Sequence, residues 1–128
     1  MGFRVTPVDS NPSAFAAPSL RCERMDLNEP LAFPDDIFDY VVCSETLEHL
    51  RNPGLCLTEF QRVLRPKGTL VLSMPNLTSL QSRLVFLLAG QFQNFFDSEA
   101  SCFYENGVDR HVLPLPPWLV RRLLERMG

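Results

Sequence analysis

The sequence predicts an α/β domain with a mostly parallel, Rossmann-like sheet and flanking helices. Three observations carry this. Ile37 to Cys43 is an apolar run with a tyrosine and two valines, broken only by Asp39, as in a strand buried on both faces. Thr69 to Met74 is a second such run. Between them Cys56, Leu57, Phe60, Val63 and Leu64 share one helical stripe, so strand, helix and strand alternate along the chain.

The elements follow in order. Phe3, Val5 and Val8 suggest a first strand ending at Asp9, weakened by Pro7, which cannot donate to a ladder. Ser10 or Asn11 can cap a short helix with Pro12 at its first position and Pro18 as its stop. Leu20, Cys22 and Met25 mark a second strand ending at Asp26, and Pro30 and Pro34 break the loop from Asn28 to Asp36. Asn52-Pro53 caps and opens the central helix, which Pro66-Lys67-Gly68 ends. Asn76 or Thr78 opens a helix through Ala89, with Leu80, Leu84, Leu87 and Leu88 expected inward and Gly90 as its stop. The stretch 91–110 is irregular and aromatic. A last helix from Pro116-Pro117 carries Leu119, Leu123, Leu124 and Met127.

A chain of 128 residues is enough for one core, so residues 1–128 read as a single domain. The net charge of −3 supplies no basic stripe, which argues against a nucleic-acid partner. No apolar run approaches the ~20 residues a membrane span needs, and no signal peptide is visible. Cys22, Cys43, Cys56 and Cys102 lack paired metal spacing, so reduced thiols in a cytoplasmic protein are expected.

In such a sheet ligands bind beyond the carboxyl ends of the strands. Asp9, Asp26, Cys43-Ser44-Glu45 and Pro75-Asn76 should therefore face one rim. Asp9 can accept from ribose hydroxyls or cap the helix after it; both readings stand. Glu45, Glu48 and His49 have the spacing that puts three residues on one face of a helical turn. A histidine with two carboxylates can serve as an oriented general base or ligate a divalent ion. His111 is the only other histidine. Glu59 and Arg62, one turn apart, read as a helix-surface ion pair worth ~0.2–0.5 kcal/mol.

The run from Asp39 to Asn76, with Leu47-Glu48-His49-Leu50 and Arg65-Pro66-Lys67-Gly68, resembles the class I S-adenosylmethionine-dependent methyltransferases, specifically the small-molecule branch. The resemblance implies an S-adenosylmethionine cofactor. It sets Asp26 on the adenine amino group with Leu27 packed on the ring, and Asp9, Cys43, Ser44 and Glu45 around the rest of the cofactor. His49 becomes a base in the cofactor pocket, Glu48 a structural residue, and a metal-free site is expected. Lys67 replaces the first glycine of the family's proline-glycine-glycine turn. No Asn-Pro-Pro-aromatic segment follows Cys43, so a small-molecule oxygen or carbon acceptor, including a glycan or lipid precursor, is implied over a planar amide. The phenylalanines of 91–110 fall where this branch forms its acceptor wall, or are ordinary core.

The family's first strand and its glycine-rich loop have no counterpart here, nor do its last two strands, so the fold is expected to be a truncated one. A central strand removed from that sheet leaves two strand pairs without a shared neighbour. The chain should then pair its first strand with Ile37–Cys43, or fill the gap from a second copy; a homodimer is the expectation. A non-catalytic interaction module that keeps the fold is the alternative. A nicotinamide oxidoreductase would need a glycine fingerprint about 20 residues before Asp9, which the sequence does not contain.

Overall fold

A computed structural model describes residues 2–17, 19–91 and 112–127. Pro18, Cys102, His111 and the aromatic residues from Phe92 to Tyr104 lie outside the described residues. The strand–helix–strand unit predicted at the centre forms as two parallel strands joined by a helix. Strand β3 (Phe38–Ser44) and strand β4 (Leu64–Ser73) are parallel, with Val41 opposite Leu70 and Ser44 opposite Ser73. Helix α1 (Pro53–Val63) connects them, and the Asn52 side chain caps it by accepting from the Leu55 N–H at 3.1 Å.

Cys56, Leu57, Phe60 and Val63 are buried, as their spacing requires. They meet Cys43, Leu47 and Leu50 from the end of β3 and the turn after it. Helix α3 (Pro117–Met127) adds Val120 to this core, with Leu119, Leu123, Leu124 and Met127 packed around it. The whole described core therefore lies on one face of β3–β4. On the other face Tyr40, Val42 and Val71 stay 56%, 71% and 48% exposed.

Strands β1 (Val8–Asp9) and β2 (Glu23–Arg24) are also parallel, but each is only two residues long. The Phe3–Val8 and Leu20–Met25 segments stop short of full strands because Pro7 lacks a donor and, among the described residues, nothing buries residues 2–5. Between β1 and β2 a single 3-10 turn, Pro12–Ala14, takes the place of the expected helix. Of the two alternatives, closure of the first strand onto Ile37–Cys43 does not occur: β1 pairs with β2 and β3 with β4, in two separate sheets. Phe3 reaches Tyr40 only through an edge-on ring contact at 6.0 Å.

Two further expectations need correcting. Helix α2 (Leu80–Ala89) has its Ser79 cap and its left-handed Gly90 stop, yet Leu80, Leu84, Leu87 and Leu88 are 75%, 49%, 77% and 85% exposed, not inward. Its spacing is sound, but among the described residues nothing covers that stripe. Glu59 and Arg62 form a partly buried clamp and not a surface pair. Glu59 is 8% exposed; its Oε2 accepts from the Leu31 N–H at 2.7 Å and from Arg62 Nη2 at 2.6 Å. Arg62 also donates to the Leu31 and Phe33 carbonyls and to Asp35. The loop before β3 is thus stitched to α1, and the Asp36 and Ile37 N–H groups complete the seam on the Arg62 and Val63 carbonyls.

The Arg65–Gly68 turn lies inside β4, as an irregularity opposite Phe38–Tyr40, instead of preceding the strand. Lys67 sits at φ 69°, a left-handed conformation that glycine adopts without cost. A Cβ on Gly68 would meet the Arg65 carbonyl oxygen and Leu64 Cδ2 at 2.9 Å. Lys67→Gly sheds a left-handed penalty of about 1–2 kcal/mol against a smaller entropic cost, so stability should rise by about 0.5–1 kcal/mol. Gly68→Ala should lose about 1–3 kcal/mol through overpacking. Urea denaturation of both variants checks this, and equal stabilities would contradict it.

Candidate functional site

The carboxyl ends of the two strand pairs carry the polar groups. At the end of β3, Glu45 turns through φ 46°, a conformation that costs a non-glycine residue energy and is held by its surroundings. Its N–H donates to the Ser73 carbonyl at 3.1 Å, and the Ser73 hydroxyl donates to Glu45 Oε1 at 2.7 Å. Ser44 Oγ lies 2.8 Å from Ser73 Oγ. The parallel register, which sets Ser44 opposite Ser73, creates this cluster. Ser73 was not picked out in the sequence, because its partnership with Ser44 depends on the strand register.

Past β2, Asp26 holds its own turn. Its Oδ1 accepts from both the N–H and the Nδ2 of Asn28, each at 2.9 Å. Those bonds, backbone first, hold the Asp26 carboxyl below the usual range, and Arg51 adds to the effect. Leu27, beside it, is partly buried against the core. Asp9 takes the Asn11 N–H on Oδ1 at 2.7 Å, in the turn that leads into Pro12–Ala14, where Asn11 and not Asp9 stands at the cap position. The ladder brings Asp9 close to Asp26, since the Met25 N–H bonds the Asp9 carbonyl.

Glu45, Glu48 and His49 do not share a helical face. Only Leu47–His49 forms a 3-10 turn, and Glu45 precedes it in the left-handed bend. Glu48 is buried at 1% exposure, Glu45 is exposed and His49 is half-buried. The Glu48 carbonyl accepts the N–H groups of Val112 and Leu113, tying the lead-in to α3 to this turn. Among the described residues no three His, Cys, Asp or Glu side chains gather as ion ligands, and no helix is long and apolar enough to cross a membrane. Cys43 faces the core, so only its backbone can reach a ligand at the strand end. An open groove of about 480 Å³ runs between Leu72–Met74 and α3, with Ser73 on its wall.

Asp9 and Asp26 offer acceptor oxygens and Leu27 an apolar edge just past β1 and β2. Among the described residues none of Gly2, Gly54, Gly68 and Gly90 stands at the carboxyl end of a strand.

The profile of the family described as "Methyltransferase domain" matches residues 1–72, more than half of the chain. The chain belongs to the class I S-adenosylmethionine-dependent methyltransferases. This methyltransferase-family chain is 42% identical over 55 residues to the Aspergillus luteorubrus protein named Probable methyltransferase ltbC, covering 41% of itself and 19% of that protein. It thus spans about a fifth of that curated relative. A Bacillus halodurans C-125 structure, BH2331, assigned provisionally as a methyltransferase, is 17% identical with a TM-score of 0.54 over 85% of this chain and 41% of its own; the likeness is one of fold. The complex of the Haloferax volcanii Trm112 methyltransferase activator with a chain assigned provisionally as a methyltransferase matches at 27% identity and TM-score 0.42, over 49% of this chain and 30% of the other.

Burial raises the Cys43 thiol pKa and pushes that of Cys56 up to about 12. Iodoacetamide at pH 8 should leave both unlabelled in the folded protein and label them after unfolding. Rapid native labelling of Cys43, mapped by mass spectrometry, would put its side chain in the cleft.

Proposed function

We propose that this chain is the nucleoside- and acceptor-side portion of an S-adenosylmethionine-dependent methyltransferase whose acceptor is an oxygen or carbon of a small molecule, including a glycan or lipid precursor. The observation that carries it is the Ser44–Glu45–Ser73 cluster at the carboxyl ends of adjacent parallel strands, in a chain of this family. S-adenosylmethionine, when bound, supplies an electrophilic methyl group. Asp26 and Leu27 hold the adenine, Asp9 the ribose, and Ser44 and Glu45 line the side toward the acceptor, with Cys43 contributing backbone alone. His49, four residues beyond Glu45, takes the proton of an acceptor hydroxyl on an imidazole nitrogen, and the fold's main contribution is positioning. Among the described residues Cys22, Cys43 and Cys56 are free thiols, which supports a reducing, cytoplasmic setting.

A second reading, an interaction module, is favoured by one observation. The outer face of β3–β4 presents Tyr40, Val42 and Val71, a surface that parallel sheets ordinarily cover, and a second copy of the chain could cover it.

Calorimetric titration separates the two. With the nucleoside half gripped and no glycine cradle among the described residues, adenosine and S-adenosylhomocysteine should bind about equally, with Kd on the order of 1 mM. No binding of either would overturn the methyltransferase reading in favour of the module. S-adenosylhomocysteine binding in the micromolar range would contradict the half-site assignment.

A further inference from the structure

We propose that Asn28 is the positioning residue of the adenine pocket, fixing the Asp26 carboxylate and locking its turn to the segment after β3; this rests on the methyltransferase reading above. Asn28 uses both ends of its side chain. Nδ2 and the backbone N–H hold Asp26 Oδ1 at 2.9 Å, while Oδ1 accepts the Arg51 N–H at 2.7 Å and the Asn52 N–H at 3.4 Å. One residue thereby joins the turn after β2 to the start of α1, although β2 and β3 belong to separate sheets.

The chemistry of the junction is specific. Both Asn28 donors fall on the same Asp26 oxygen, so Oδ2 keeps its acceptor capacity for a ligand donor. Asp26 is exposed, and Leu27 beside it packs against the core, giving a flat apolar edge next to an oriented carboxylate. A planar ring bearing an exocyclic amino group meets both features. A ring bearing a carbonyl at the same position sets two acceptors against each other and is refused. Without Asn28 the Asp26 side chain can rotate, and the two turns lose their shared anchor.

Adenosine and inosine differ at that position, amino against carbonyl, and serve as probes. The wild-type chain should prefer adenosine roughly tenfold in titrations followed by NMR, the discrimination of one charge-assisted hydrogen bond. In Asn28→Ala the preference should fall to near one. A variant that merely loosens the fold would weaken both nucleosides alike and keep their ratio. In the wild type, adenosine should also shift the Asn28 side-chain amide and the Arg51 backbone amide together, a readout that needs no variant. An unchanged ratio in Asn28→Ala, or still resonances at Asn28 and Arg51 under saturating adenosine, overturns the proposal while leaving the family reading standing. A wild type blind to both nucleosides overturns both.

Discussion

The Glu59–Arg62 clamp is the interaction on which the rest of the structure depends. A parallel pair such as β3–β4 needs a crossover helix packed on one face, and that helix must be held in register with the chain entering the first strand. α1 supplies the packing through Leu57, Phe60 and Val63, but apolar packing is not directional. The clamp supplies direction. One carboxylate and one guanidinium bind Leu31, Phe33 and Asp35, so the loop with two prolines enters β3 along a single path. Arginine suits this because its planar fork serves several acceptors at once. Because each charge is met by the other and by backbone groups, burial does not leave either one exposed to a low-dielectric interior without compensation.

The same region links fold to site. The loop fixed by the clamp begins with Asp26, Leu27 and Asn28, and Asn28 ties it to the start of α1. The residues assigned to adenine are therefore held from two sides, by Glu59 and Arg62 at the far end of the loop and by Arg51 and Asn52 at the near end. The Ser44–Glu45–Ser73 cluster is fixed differently, by strand register and a strained backbone. The cluster arises within the strand–helix–strand unit, whereas Asp9 and Asp26 follow the short strands β1 and β2 and are tied to that unit through Asn28.

Much of this was legible in the sequence where a single periodicity or cap decides the outcome. The Asn52-Pro53 cap, the α1 stripe, the parallel pair and the Gly90 stop follow from local rules that tertiary structure did not override. The Leu80–Leu88 stripe was read correctly as apolar and wrongly as buried, because periodicity identifies a face and not what covers it. The shared face of Glu45, Glu48 and His49 failed because the chain bends at Glu45 before the turn begins. Glu59 and Arg62 looked like a surface pair since their partners lie 27 to 31 residues away, at Leu31, Phe33 and Asp35, beyond any spacing rule. Asn28 and Ser73 were missed for the same reason: each gains its role from partners distant in sequence. Lys67 shows the converse, since its place at the first glycine of the turn matched the left-handed backbone found there.

The central claim is that the Glu59 carboxylate, paired with Arg62, holds the fold together, and stability against pH tests it most directly. Hydrogen bonding to Arg62 keeps the Glu59 carboxyl below its ordinary value. Its contribution is therefore complete above the unfolded value of about 4.3 and is lost as pH falls through the depressed folded value. Urea unfolding of the wild type and of Glu59→Gln, measured from pH 7 down to about pH 3, isolates that contribution as the difference between two curves. A wild-type advantage at neutral pH that shrinks steadily on acidification is expected. A difference that is absent at neutral pH, or that stays constant across the range, would contradict it.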